Sequence, residues 1–130
     1  MAFLIHTVED GHNLPIEYLP CSAIQPEVGM ALTLTSGKLA KATGTTKPAY
    51  ISMLQAKAAL TAGDIIPVVR VTEDIIWETT LQAAGTSLNV GDKVTIHTDA
   101  MQVTATTASG VAEIVYMDGT AAGSMVRVRL

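Results

Sequence analysis

PEVGMALTLTSGKLAKAT, residues 26–43, reads as a turn at Gly29, an apolar strand, a corner at Ser36-Gly37 and a return strand. The chain says nearly the same thing again over residues 88–105, LNVGDKVTIHTDAMQVTA. Gly29 leads to Leu32, Thr33 and Leu34, and Gly91 leads to Val94, Thr95 and Ile96, position for position. The corners Ser36-Gly37 and Thr98-Asp99 carry residues that suit the left-handed backbone of a tight hairpin. Return strands are expected over 38–42 and 100–104. With one gap allowed the likeness continues, 49–52 against 112–115 and 62–64 against 122–124, and both copies end in a β-forming run, 65–71 and 125–130. Gly29, Gly63, Gly91 and Gly123 thus stand as structural turns, followed at the third position by Leu32, Ile66, Val94 and Val126.

A unit of about four strands is too small to bury its own apolar face, so two copies are expected to close on each other. The chain reads as all-β: a small β-barrel or β-tulip built from two pseudo-repeats, about 28–71 and 90–130. Composition agrees, since the chain is 48% hydrophobic with only one Phe, one Trp and three Tyr, its apolar mass coming from small aliphatics and β-branched residues. In the last run Val126, Val128 and Leu130 should face the core, and Arg127 and Arg129 the solvent. Pro67 should mark an edge or a bulge. The Ala-rich stretch 54–60 suits a short helix, 75–81 a strand connecting the copies, and Trp77 a core residue at their junction.

Residues 1–25 lie outside the repeat. Pro15, Pro20 and Pro26 discourage a strand in a sheet interior and favour an extended segment at an edge, an arm held by the barrel or by a partner, before a single domain over 26–130. Phe3, Leu4, Ile5, Leu14, Ile16 and Tyr18 are the arm's candidate partner contacts, because extended segments recognise partners by adding a strand to a free edge. Such an arm should be dispensable for folding.

Chemistry is sparsely supplied. A net charge of −4 with eight scattered Lys and Arg argues against nucleic acid. The start MAFLIHTVED has no basic n-region, and no run reaches membrane-spanning length, which points to folding in a cytoplasm without a membrane partner. The one cysteine, Cys21, cannot form an internal disulfide and has no local signature of an activated nucleophile. His6, His12 and His97 match no metal-ligand spacing, so no metal site is expected. Glu73, Asp74 and Glu78 read as a solvated strand margin, and Ser36-Gly37-Lys38 lacks the upstream glycine and the hydroxyl of a phosphate loop. No enzymatic activity and no cofactor are expected.

The segments VGMALTLTSGKLAKATGTTKPAYI, AGDIIPVVRVTEDIIWETTL, SLNVGDKVTI and GVAEIVYMDGTAAGSMVRVRL carry a resemblance. Together they look like the small β-rich head decoration, or capsid cement, proteins encoded beside the major capsid protein in tailed phages and prophages of Gram-positive bacteria. The resemblance implies a non-enzymatic structural protein bound to the capsid exterior of a virion. It also implies the major capsid protein as partner and a homo-oligomer, a trimer above all. Two other readings stay open: a receptor- or glycan-binding β module of a virion, and a tail or head-completion component.

Overall fold

The computed structural model describes residues 2–130, which form ten strands and no helix. In chain order they are β1 Leu4–Val8, β2 Ile16–Pro20, β3 Ala31–Thr35, β4 Lys38–Lys41, β5 Tyr50–Ser52, β6 Ile65–Arg70, β7 Ile75–Thr80, β8 Lys93–Val94, β9 Ala112–Met117 and β10 Met125–Arg129. Two antiparallel five-stranded sheets result, ordered β2-β6-β5-β3-β4 and β1-β7-β10-β9-β8. Neither closes into a barrel. Single parallel bridges join Cys21, just past β2, to Leu39 of β4, the two edge strands of one sheet, and Leu81, just past β7, to Val103 beyond β8. One apolar cluster runs through both sheets, from Leu32, Leu39 and Ile66 to Trp77, Ile114 and Val128.

The duplication is written in the hydrogen bonds. Gly29, Gly63, Gly91 and Gly123 all have φ between +85 and +99. Each is the third residue of a turn closed by a backbone bond: Met30 N to Glu27 O, Asp64 N to Thr61 O, Asp92 N to Asn89 O and Ser124 N to Ala121 O, all 3.0–3.1 Å. That is the type II turn, whose third position requires positive φ and therefore favours glycine. The amides of these glycines then pair alike: Gly63 N donates to Cys21 O at 2.7 Å and Gly123 N to Leu81 O at 2.8 Å, while Gly29 N donates to Ser52 O at 2.9 Å and Gly91 N to Ile114 O at 2.8 Å.

These pairs show that the repeating unit is longer than the sequence suggests. It starts with β2 in the first copy and β7 in the second, since Cys21 just after β2 and Leu81 just after β7 occupy the same place. Strand for strand, β2, β6, β5 and β3 correspond to β7, β10, β9 and β8. The connecting strand over 75–81 is thus the opening strand of the second copy, and β1 is an extra strand added at its edge.

The separate arm therefore gives way to two sheet strands. β1 pairs with β7, Leu4 opposite Glu78 and Val8 opposite Ile75, and β2 pairs with β6 from Ile16 opposite Val69 to Pro20 opposite Ile65. Proline does permit this: β2 is an edge strand, Pro20 ends it, and Pro15 precedes it. Residues 2–25 pack into the two sheets rather than standing apart from them, and Phe3 is 1% exposed.

Other expectations divide. The alternation in β10 holds, with Val126, Val128 and Leu130 buried and both arginines half-exposed. Ser36 (φ 51) and Gly37 (φ 77) make a left-handed two-residue hairpin. The second corner is wider, because Ala100 takes φ 60 and His97 N reaches Gln102 O, with the Asp99 carboxylate accepting from Met101 N and Gln102 Nε2. No return strand forms there beyond the bridging Val103. Pro67 lies inside a sheet with regular register instead of at an edge or bulge. Its carbonyl accepts from Met53 N, just past the end of β5, and its nitrogen points to that same side, so the one ladder bond it cannot make is the reciprocal one to Met53 O, at the end of the β5–β6 pairing. Residues 54–60 bend without forming a helix, pinned to the preceding loop by Ala56 N to Pro26 O and Leu60 N to Ile24 O, both 2.8 Å.

Candidate partner-binding strip

The site grows from the N-terminal strands. Phe3 enters the core beside Gly29, its amide donating to the Gly29 carbonyl at 2.9 Å. A Cβ on Gly29 would stand 2.5 Å from the Ala2 Cβ and 3.0 Å from Phe3 N, so this close approach of two backbones needs glycine as much as the turn does. Beyond Phe3 the side chains of β1 emerge at a sheet edge: Leu4 is 54% exposed, and Ile5 is exposed as well.

Phe3, Leu4 and Ile5 meet Val28, Ile51, Met53 and Trp77 around a cavity of about 60 Å³ where the two sheets come together. Met53 carries the apolar surface onward. It sits opposite Pro67, and Pro67 is cross-strand partner to Tyr18, which is 67% exposed. Residues opposite each other, or two apart on one strand, share a face. Ile16, Tyr18 and Pro20 therefore share theirs with Val69, Pro67 and Ile65. Exposed Ile16, Tyr18 and Ile65 lie on that face with Met53 beside them, and Met53 meets Leu4 and Ile5, which leave the β1 edge on opposite sides, so large apolar side chains from four neighbouring segments form a strip across both sheets.

Ion pairs stand on both sheets, Glu17–Arg70 on the face opposite Tyr18. Arg70 donates through Nε and a terminal NH2 to the two Glu17 oxygens, each at 2.9 Å, and its guanidinium lies 5.1 Å from the Tyr50 ring centre. The Arg70 bond holds the Glu17 carboxyl below the usual carboxylate range. On the other sheet Arg127 reaches Glu78 at 3.4 Å and covers the Tyr116 ring at 4.6 Å. Trp77 is a core residue, yet its indole Nε1 is buried without a hydrogen-bond partner.

Of the six residues expected to touch a partner, the structure leaves Leu4, Ile5, Ile16 and Tyr18 available. Phe3 is spent on the core and Leu14 is half-buried against it. Met53 and Ile65 escaped sequence reasoning, although an apolar residue just beyond the buried run of β5 was the available signal. Cys21 is fully buried, and burial pushes its thiol above the usual range, which leaves it a packing residue. Glu73, Asp74 and Glu78 do not converge on a common site: Asp74 turns toward His12, and Glu78 toward Arg127. No protein-family model matches the chain, nor does any curated protein or solved structure.

Proposed function

We propose that the chain is a non-enzymatic structural protein that decorates and stabilises the outside of a tailed-phage capsid. Its partner is then the major capsid protein, and its working form a homo-oligomer, a trimer by the resemblance given above. The observation that supports this reading is the apolar strip along β1, β2 and Met53. Burial of apolar surface contributes about 25 cal/mol per Å², and contiguous exposed patches of this kind mark interaction sites. The duplicated, turn-locked sheets beneath it form a stiff support, which suits a clamp across neighbouring shell subunits.

Co-sedimentation with empty heads of a phage that encodes the chain tests it. The full chain should pellet with the heads, whereas Leu4→Asp and Tyr18→Asp, at exposed positions where folding tolerates charge, should stay in the supernatant. Thr107→Lys, exposed in the β8–β9 connection at the edge of its sheet opposite β1, should still pellet. Pelleting of both strip variants at the level of the unaltered chain contradicts the proposal.

A further inference from the structure

Asp10, His12 and Asp74 come together at one end of the molecule, in a place the capsid reading does not use. One ligand atom from each lies within 4.8 Å of the other two. His12 Nδ1 is 3.3 Å from Asp10 Oδ1 and 3.4 Å from Asp74 Oδ2. Asp10 and His12 are brought to the same side by Gly11, which takes φ 66 and donates its amide to Val8 O. The β6–β7 turn is tied to this loop by Glu9 N donating to Asp74 O at 2.9 Å. Thr72 Oγ1 donates to Asp74 Oδ1, leaving Oδ2 to face His12.

Either one proton shared from an imidazolium Nδ1 or a cation fills this arrangement. One ring nitrogen carries at most one proton and donates well to one acceptor, yet two carboxylate oxygens flank Nδ1 at nearly equal distances. Both distances exceed the roughly 2.7–2.9 Å of a charge-assisted bond. With the ring proton on Nε2, Nδ1 presents a lone pair to two anionic oxygens, which is repulsive unless a cation lies between them. A tetrahedral ion with bonds of about 2.0–2.2 Å to nitrogen and oxygen separates its ligand atoms by about 3.3–3.6 Å, the spacing seen around Nδ1. One imidazole and two carboxylates suit a borderline divalent ion such as zinc, with water completing the shell.

The geometry points to a divalent-cation site formed by Asp10, His12 and Asp74, in which the ion rivets the β1–β2 loop to the β6–β7 turn. Ligands from two separate segments make binding a stabilising event, because the ion holds the folded state and finds no such set in the unfolded chain.

Titration of untagged protein with zinc chloride, followed by calorimetry and by thermal unfolding, tests the site. A single saturable event is expected, with a melting temperature that climbs with zinc concentration and returns on adding chelator. Loss of an outer partner of a metal ligand costs about 10–100-fold in affinity, so Asp10→Asn and His12→Gln, both at exposed positions, should each weaken binding by at least about tenfold. His6→Gln and His97→Gln should leave it unchanged. In an isotope-labelled sample, manganese should first broaden the amides of residues 9–13 and 72–75. Absence of saturable zinc binding, leaving only a proton between His12 and the carboxylates, overturns the proposal. So does binding that survives in both ligand variants.

Discussion

Gly29 does two jobs that its counterpart Gly91 does one of. Both take positive φ in a type II turn, but only at Gly29 would a Cβ strike another segment, whereas Gly91 has open space around it. An alanine in the left-handed region costs about 1–2 kcal/mol. Gly91→Ala should lose about that much in urea unfolding and Gly29→Ala clearly more, since Ala2 and Phe3 must also move; equal losses would contradict the close approach. Cys21 offers a second check. Buried and with its thiol pushed up, it should resist alkylation in the native state and react only as the protein unfolds, so rapid labelling under native conditions would disprove its burial. Glu17 gives a pH dependence. Its carboxyl titrates below its ordinary range when folded, so its contribution is present above that range and is lost as pH falls through the folded value. Glu17→Gln should therefore flatten the acid limb of the stability profile. Much at this scale was legible in the sequence: the inward Val126 and Val128 followed from a period of two. Asp74 beside His12 was not, because no local spacing announces two residues brought together by a bond between distant loops.

Among the elements, β1 and β2 account for the largest difference between sequence and structure. Their prolines and their place outside the visible repeat suggested an arm, and the strands themselves were hidden because β2 has no sequence likeness to β7, its structural counterpart. Likeness survived where turns demand glycine and was lost where any apolar or β-branched residue serves. Phe3 shows the consequence. It fills the seam between the sheets, and Phe3→Ala should cost about 3–5 kcal/mol. Leu4→Asp, one position along, should cost little stability while removing partner binding. Deleting residues 2–20 should unfold the protein or lower its melting temperature sharply, and a truncated chain as stable as the full one would show that β1 and β2 are not integral. The segment 54–60 teaches the opposite lesson: alanine favours helix, but seven residues cannot nucleate one against two backbone bonds to residues 24–26.

For the whole molecule, the all-β fold and its duplication were readable from four glycines and the strands that follow them. The two open sheets were not, since closure depends on pairing at the margins, which here stops at single bridges. The apolar strip is a property of this scale alone: it joins β1 of one sheet to β2 and β6 of the other through Met53 and the seam, and no single segment displays it. Cryo-electron microscopy of empty heads saturated with the protein shows whether this strip faces the partner. The expected density shows the fold with Leu4, Met53 and Tyr18 turned toward the shell and the β8–β9 connection turned away; heads without added density, or copies held by the 97–102 loop with the strip open to solvent, would contradict this placement.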